Sequence, residues 1–282
     1  MTILNLLSNF KITEQQSVKK PVFNLLAPQK TSEIFEKPII TPEMHQAKSV
    51  GAETVVTLSS PDMSGSGVII NKKISGKIVT GTILTNGHVV GTQSTKLVGQ
   101  NIQIKLPNGQ IVVGRVKANG IKYAPFTGEI YTGGIVPKRT LRNSIDIAVI
   151  EFTINKNNRA SNFKVAKLGN DVNVGEEILS VGTPEKSKNK VFSSGIVIDR
   201  TRALSDGATQ VSNAKVIEGM SGGGVFNETG HLVGINEQKN CNCRMTGANG
   251  RVYNWPEGAT AGGIEASTIK TFLKTNNIEF TQ

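Results

Sequence analysis

The sequence predicts an all-β protein, and three observations support that prediction. The chain of 282 residues contains 30 glycines, which suits many short strands joined by tight turns. The stretch 102–116, IQIKLPNGQIVVGRV, alternates apolar and polar residues around Pro-Asn-Gly, the pattern of a β-hairpin. Apolar, β-forming runs recur, as in ILTNGHVV at 83–90 and DIAVIEF at 146–152. The length suits one globular unit of two subdomains.

Composition and charge exclude several other classes of protein. No apolar run reaches the ~20 residues that a membrane helix needs, and no basic residue precedes the apolar positions at the N-terminus, as a secretory signal would require. Cys241 and Cys243 are too few for a disulfide framework and have no further metal ligands nearby. We therefore expect a cytoplasmic protein with no membrane span, no cofactor and no metal. The net charge of +11 is spread along the chain without a basic block, which argues against a nucleic-acid partner.

The stretch Gly219-Met220-Ser221-Gly222-Gly223 is the strongest chemical signal in the chain. A glycine before a serine lets the backbone turn tightly, so that two N–H groups can point at a developing oxyanion. The glycines after the serine leave room for a substrate to reach its hydroxyl. Because the pattern G-x-S-x-G also occurs at the strand-to-helix turn of α/β-hydrolases, the pattern by itself leaves two classes of acyl-transfer enzyme open.

The position of the acid and the histidine separates these two classes. An α/β-hydrolase carries both residues downstream of its serine, yet no aspartate follows Ser221, and His231 is the only histidine after it. Upstream, His88 and Asp146 each lie beside an apolar, β-forming run. The order His88, Asp146, Ser221 is that of the chymotrypsin-type catalytic triad.

Seven separated stretches of the chain also follow the order of one protein family. They resemble the protease domain of the HtrA/Deg group of trypsin-like serine proteases, over about residues 50–275. The resemblance implies a chymotrypsin-like double β-barrel with the active site between the barrels, and hydrolysis of peptide bonds in a protein or peptide substrate. The stretches are GSGVII (65–70), ILTNGHVV (83–90), DIAVIEF (146–152), NDVNVGEEILSVGTP (170–184), GIVIDRTR (195–202), GMSGGGVFNETGHLVGIN (219–236) and GGIEASTIKTFL (262–273).

The residue types predict the role of each site residue. A serine hydroxyl is a poor nucleophile at its ordinary pKa, so Ser221 needs a base in hydrogen-bond contact. His88 would take that proton and return it to the leaving amine, while Asp146 would fix the tautomer of the imidazole. The backbone N–H groups of Gly219 and Ser221 would form the oxyanion hole.

The residue before the serine, Met220, indicates whether cleavage of a zymogen could activate the protein. Secreted trypsins carry a carboxylate just before the serine, and it pairs with a new N-terminal ammonium after cleavage of the zymogen. Met220 cannot form that ion pair, and HtrA-like proteins also lack it. We therefore expect control by loops, by the N-terminal segment or by a regulatory protein partner.

Alignment on Ser221 suggests which residues line the substrate pocket. Lys215 and Val216 are expected near its wall, Glu218 at its rim and Asn236 on the opposite strand. Val216 would suit a small aliphatic side chain, Lys215 an acidic one and Glu218 a basic one. Charged side chains at such positions more often simply point to solvent.

The chain divides into an extension and a protease domain. Residues 1–48 are interpreted as a leader or a regulatory segment, and residues 49–282 as the trypsin-like serine protease domain. Barrel one is expected at about 53–152 and barrel two at about 165–264. A C-terminal helix is expected at about 267–276, with Ser267 or Thr268 as N-cap and a buried stripe of Ile269, Phe272 and Leu273. No room for a PDZ domain remains after it.

Two long polar segments, 117–144 and 239–261, depart from the HtrA-like pattern. They lack sustained apolar periodicity, so we expect them to carry regulation or substrate choice rather than stability. A second hypothesis for the whole chain is a protease-fold binding module for an anionic or protein partner, with loops that disable the site. The complete triad favours the active endopeptidase.

Overall fold

Twelve strands form two closed six-stranded antiparallel barrels in the computed structural model of the protein. The structure describes residues 40–60, 63–91, 98–121, 144–184, 187, 189–201, 210–239, 245–246 and 252–282. The predicted all-β class and the chymotrypsin-like double barrel are confirmed. Among the described residues, no helix is long and apolar enough to cross a membrane.

The first barrel has the strand order β1-β2-β3-β6-β5-β4, and β1 pairs with β4 to close it. Its strands are β1 Val55–Ser59, β2 Ser64–Ser75, β3 Ile78–Thr85, β4 Asn101–Lys105, β5 Ile111–Asn119 and β6 Ala148–Asn155.

The second barrel follows the order β10-β11-β14-β9-β8-β7, and β10 pairs with β7 to close it. Its strands are β7 Glu177–Gly182, β8 Val191–Asp199, β9 Gln210–Ser212, β10 Gly224–Phe226, β11 Leu232–Lys239 and β14 Ala261–Glu265. Between β11 and β14, the short strands β12 Met245–Thr246 and β13 Val252–Tyr253 pair with each other.

The predicted hairpin around Pro107-Asn108-Gly109 is confirmed. Strands β4 and β5 pair in antiparallel register from Asn101↔Arg115 to Lys105↔Ile111. Gly109 adopts a φ of +83°, which a residue with a Cβ rarely reaches. The local turn chemistry therefore fixes the register between β4 and β5.

Apolar clusters among the described residues fill each barrel and join the two barrels. The alternation of inward and outward side chains along the strands fills each barrel, and a third cluster joins them with contributions from both. Barrel one encloses Val56, Leu58, Ile69, Ile83, Ile104, Ile150 and Phe152; barrel two encloses Val172, Ile178, Val197, Ala214, Val225 and Val233; the joining cluster includes Val55, Val68, Ile147, Leu179, Val181 and Phe226.

Helix α1, His45–Thr54, follows a short 3-10 turn at Pro42–Met44 and leads directly into β1. Met44 and Ala47 are fully buried in the cluster that joins the barrels. A Cβ on Gly51 would lie 2.8 Å from a methyl of Val181, so the helix packs closely against β7. This helix therefore belongs to the folded body of the protein.

Helix α2, Ala266–Thr275, is the predicted C-terminal helix. Its expected stripe of Ile269, Phe272 and Leu273 is buried. The expected N-cap at Ser267 or Thr268 is wrong, because the helix begins earlier, with Glu265 as N-cap residue. The backbone N–H of Ser267 donates to the carboxylate of Asp171 at 2.8 Å, so a side chain from a distant part of the chain caps this helix.

The segment 239–261 is only partly described, and its described part reaches the core. Trp255 is partly buried and packs against the cluster that joins the barrels, and Ala259 is buried at 4% exposure. The expectation that this segment has no means to join a core is therefore wrong for its second half. Residues 122–143 of the other long segment lie outside the described residues.

Candidate active site

The side chains of His88 and Asp146 form a close pair at the ends of two neighbouring strands. His88 starts a 3-10 turn just after β3, and Asp146 lies just before β6. One carboxylate oxygen of Asp146 lies 2.6 Å from Nδ1 of His88, and the other accepts the backbone N–H of His88 at 2.8 Å. A carboxylate at this position holds the proton on Nδ1 and leaves Nε2 as the acceptor nitrogen of the neutral ring.

Burial differs between the two partners in a way that suits a base and its orienting acid. The side chain of Asp146 is 4% exposed, while that of His88 is 25% exposed. The fully buried Asn86 donates from Nδ2 to the carbonyl oxygen of Asp146 at 2.8 Å. The acid is therefore fixed at its backbone as well as at its carboxylate, and part of the imidazole stays accessible.

Ser221 lies in the second of two consecutive tight turns, 217–220 and 220–223. The N–H of Met220 donates to the carbonyl of Ile217 at 3.0 Å, and the N–H of Gly223 donates to the carbonyl of Met220 at 3.0 Å. Gly219 and Gly222, the third residues of the two turns, have φ values of +91° and +77°. This is the geometry of type II turns, which favours glycine at the third position. The glycines that mark the motif in sequence are therefore required by the backbone.

From Gly219 to Gly222, the backbone N–H groups alternate between unbonded and hydrogen-bonded. Those of Met220 and Gly222 donate to backbone carbonyls, the latter to Asn236 at 2.8 Å. Those of Gly219 and Ser221 donate to no acceptor among the residues that the structure describes. Two neighbouring backbone N–H groups that have no acceptor in the described part of the chain form a local site for an anion.

The two turns at 217–223, which we call the nucleophile turn, belong to barrel two. They lie directly against the segment of barrel one that leads into His88. The backbone N–H of Ser66 donates to the carbonyl of Ser221 at 2.9 Å. A Cβ on Gly222 would collide with Oγ1 of Thr85 and lie 3.0 Å from the backbone N of Asn86. Since Asn86 holds the Asp146 backbone and precedes His88 by two residues, the three predicted catalytic residues share one neighbourhood between the barrels.

The hydroxyl of Ser221 donates to the carbonyl oxygen of Glu237 at 3.3 Å. Glu237 lies on β11, next to Asn236, where the contacts between β11 and the nucleophile turn end. On its other side β11 continues to pair with β14 as far as Lys239↔Ala261. The carbonyl of Glu237 is thus the group of β11 that contacts the nucleophile hydroxyl.

Met220 is fully buried in an apolar cluster with Val216 and Ala261. A Cβ on Gly182 would lie 2.8 Å from Cα of Met220, so β7 packs closely behind this residue. The position that carries a carboxylate in secreted trypsins therefore holds an apolar anchor here. It stabilises the nucleophile turn by packing.

The structure separates the four residues that the sequence predicts for the pocket. Val216 is buried at 5% exposure beside Met220, while Lys215 and Glu218 are exposed. Asn236 is buried at 2% exposure, and its Nδ2 donates to the carbonyls of Val181 at 3.3 Å and Met220 at 3.5 Å. Its amide thus braces the nucleophile turn.

Sequence reasoning missed three polar residues that support the site: Ser66, Thr85 and Asn86. All three are fully buried: Ser66 donates to Gly219, Asn86 donates to Asp146, and Thr85 donates to the carbonyl of Ser66. Their positions in the motifs GSGVII and ILTNGHVV were a usable signal, since a polar residue inside an apolar strand needs a buried partner.

Comparison with known proteins agrees with this geometry. The family described as "Trypsin-like peptidase domain" matches residues 65–235. The "Serine protease Do-like HtrA" of Bacillus subtilis is 29% identical over 185 residues, which are 62% of this chain and 33% of that protein. The chain therefore spans about a third of the length of this curated relative.

Two solved structures share the fold. The serine endoprotease from Yersinia pestis is 22% identical with a TM-score of 0.53, covering 82% of this chain and 65% of that one. Rv3671c from M. tuberculosis, in a mutant, inactive form, is 14% identical with a TM-score of 0.54, covering 84% and 94%. Since the family match includes His88, Asp146 and Ser221 and extends over more than half of the sequence, the chain belongs to the trypsin-like peptidase family.

Proposed function

We propose that the protein is a serine endopeptidase that hydrolyses peptide bonds through an acyl-enzyme. One observation carries the proposal: the N–H groups of Gly219 and Ser221 are the two unbonded donors in a segment whose other N–H groups are bonded. A turn that served only to connect two strands would have no need of this alternation. The nearby pair of His88 and Asp146 supplies the base and its orienting carboxylate.

The proposed reaction begins with attack of Ser221 Oγ on the carbonyl carbon of the substrate, while the hydroxyl proton passes to Nε2 of His88. The resulting oxyanion accepts hydrogen bonds from the N–H groups of Gly219 and Ser221. Collapse of this intermediate breaks the C–N bond, and His88 returns the proton to the leaving amine. Water then hydrolyses the acyl ester by the same steps, with Asp146 stabilising the imidazolium each time.

The hydroxyl of Ser221 has to change partner for this reaction. Its 3.3 Å contact with the Glu237 carbonyl is long for a hydroxyl donor, so little free energy holds it there. Catalytic hydrogen bonds of free enzymes are often loose and tighten when substrate binds. We propose that substrate binding along β11 engages the Glu237 carbonyl and directs the hydroxyl to His88.

The position of β11 beside Ser221 suggests how the substrate binds. An extended peptide can add to an exposed edge as a further strand, with main-chain hydrogen bonds that do not depend on its sequence. Glu237 lies beside Ser221 in a bulge of β11, between Asn236 and Gln238, which both pair with β14. The proposed substrate is therefore a protein segment in extended conformation.

For the residue before the cleaved bond, we propose a small apolar side chain. Val216 is buried with Met220 and Ala261 close to the nucleophile turn, whereas Lys215 and Glu218 are exposed to solvent. Control of the activity is assigned to the N-terminal segment, to the segments 117–144 and 239–261, or to a protein partner, since Met220 offers no ion pair for activation by cleavage.

A fluorophosphonate labelling experiment tests the proposed function. The pure protein is incubated with the probe, digested and analysed by mass spectrometry, with Ser221→Ala as the matched control. We expect one adduct, on the peptide that contains Ser221, and none in the control. If the wild-type protein forms no adduct with or without added protein substrate, the binding-module hypothesis takes the place of the endopeptidase.

A further inference from the structure

The hydroxyl of Ser66 connects barrel one to the oxyanion site. Ser66 lies on β2 and is fully buried. Its Oγ donates to the carbonyl of Gly219 at 2.8 Å and accepts the backbone N–H of Thr183 at 2.8 Å. A buried serine hydroxyl that is both donor and acceptor holds its two partners in a fixed relation.

The backbone of Ser66 reinforces the same link. Its N–H donates to the carbonyl of Ser221 at 2.9 Å, and its carbonyl accepts from Oγ1 of Thr85 at 2.6 Å. One residue therefore contacts the nucleophile turn twice and the strand that leads to His88 once. All of these contacts cross from barrel one to barrel two or join neighbouring strands of barrel one.

The peptide group between Gly219 and Met220 is the one that Ser66 holds. Its N–H end donates to Ile217 at 3.0 Å and its C=O end accepts from Ser66 Oγ. The two free N–H groups, of Gly219 and Ser221, lie on either side of this peptide group along the chain. These two donors belong to the peptide groups on either side of the held one, so a shift of the held peptide would displace them relative to each other.

From these contacts we propose that Ser66 is a positioning residue for the oxyanion hole: its hydroxyl fixes the Gly219–Met220 peptide so that the N–H groups of Gly219 and Ser221 point at one oxygen. The proposal rests on the proposed endopeptidase function. Ser66 touches neither the scissile bond nor the proton path, and it acts through Gly219. Its effect falls on the transition state, where the oxyanion is fully charged, rather than on the bound substrate.

The kinetic test compares Ser66→Ala with Ser180→Ala. Ser180 is an equally buried serine on β7 that pairs with Val225, outside the two turns around Ser221. A displacement of catalytic groups by about 1 Å costs on the order of 100-fold in rate, so we expect Ser66→Ala to lower kcat by about 10- to 100-fold with KM changed less than about threefold. Ser180→Ala should leave both constants within about twofold.

A tetrahedral inhibitor separates positioning from folding. A peptide aldehyde forms an oxyanion on the serine, so its affinity should fall in Ser66→Ala by about the same factor as kcat. Ser66→Thr, which keeps the hydroxyl, should recover most of the inhibitor affinity and most of kcat. If Ser66→Ala does not fold, Ser66→Cys replaces it, because a thiol of similar shape is a weak donor; a wild-type kcat in that variant would overturn the proposal.

Hydrogen exchange supplies a measurement that does not depend on activity. The Met220 N–H belongs to the held peptide, so its exchange should accelerate at least about tenfold in Ser66→Ala and not in Ser180→Ala. Unchanged exchange, or equal losses of kcat in the two alanine variants, would overturn the positioning role. Failure of the wild-type protein to form a fluorophosphonate adduct would instead overturn the endopeptidase, while the exchange result would still decide what Ser66 holds.

Discussion

At the scale of the residue, the site depends on polar groups that each make more than one hydrogen bond. The carboxylate of Asp146 binds the ring and the backbone of His88 with its two oxygens, at 2.6 and 2.8 Å. Asn86 in turn donates to the Asp146 carbonyl. Two contacts on one carboxylate leave the imidazole little freedom to rotate, which is the condition for a base that works at a fixed distance.

Loss of the nucleophile or of its base should remove the same step. We expect Ser221→Ala and His88→Ala each to lower kcat by about 10⁴- to 10⁶-fold, and the double variant to lie within about threefold of the worse single one, because the residues act as a unit. Steady-state cleavage of an unstructured protein substrate measures this. His231→Ala, in the surface turn after Asn227, is the matched control. Additive losses, or substantial turnover by Ser221→Ala, would contradict the assignment.

At the scale of the element, helix α1 is fastened by an unusual lysine. Nζ of Lys190, just before β8, donates to the carbonyl of Ala52 in the last turn of α1. Carbonyls at a helix C-terminus attract a cation, but burial lowers the pKa of Lys190 from 10.5 to about 8. The helix therefore gains a hydrogen-bond donor from a side chain whose charge is costly at neutral pH.

This lysine should make stability depend on pH in the alkaline range. Between the pKa of about 8 in the folded protein and 10.5 in the unfolded chain, the unfolded chain binds more protons, so the free energy of unfolding rises with pH. Below pH 8 both states carry the proton, and the cost of burying the charge is fully present.

Urea unfolding at pH 7.5, 8.5 and 9.5 measures this effect. The free energy of unfolding of the wild type should rise relative to that of Lys190→Met as the pH increases, because the methionine has no proton to lose. Lys274→Met, on the exposed side of α2, is the control. Its free energy of unfolding should differ from that of the wild type by the same amount at all three pH values. A constant difference for Lys190→Met as well would mean that Lys190 keeps an ordinary affinity for its proton.

At the scale of the whole molecule, the site is built across the boundary between the barrels. Barrel one supplies His88, Asp146 and Ser66, and barrel two supplies Ser221 with the oxyanion donors. The apolar cluster that includes Val68 and Val181 joins the two barrels behind the site. The relative placement of the barrels, rather than either barrel alone, therefore determines whether the catalytic groups meet.

Because Met220 is an apolar anchor, no newly formed N-terminus should be required for activity. We expect the 282-residue chain to be active. A variant lacking residues 1–39, which keeps the buried Met44, should have the same activity before and after acetylation of its terminal amine. Fluorophosphonate labelling rates of the two preparations provide the measurement. A loss of more than about tenfold on acetylation would indicate an ion pair at the terminus.

Local patterns in the sequence predicted much of this protein correctly. Alternation around Pro107-Asn108-Gly109 gave the β4–β5 hairpin, and the helical stripe of Ile269, Phe272 and Leu273 gave α2. The glycines around Ser221 gave the tight turns, since a φ of +91° or +77° is a property of single residues. The family resemblance gave the double barrel. The hairpin, the helix and the turns each depend on residues that are close together in sequence, whereas the resemblance rests on separated stretches.

The tertiary structure decided the features that depend on distant contacts. Ser66 reaches Gly219 across 153 positions of the chain, and Asp171 caps helix α2 across 96. Asn236, which the sequence suggested for the pocket, braces the turn, and Trp255 packs against the core. A single sequence carries no pattern for such pairs, because which buried polar group meets which is set by how the barrels pack, and local propensity ends within a few residues.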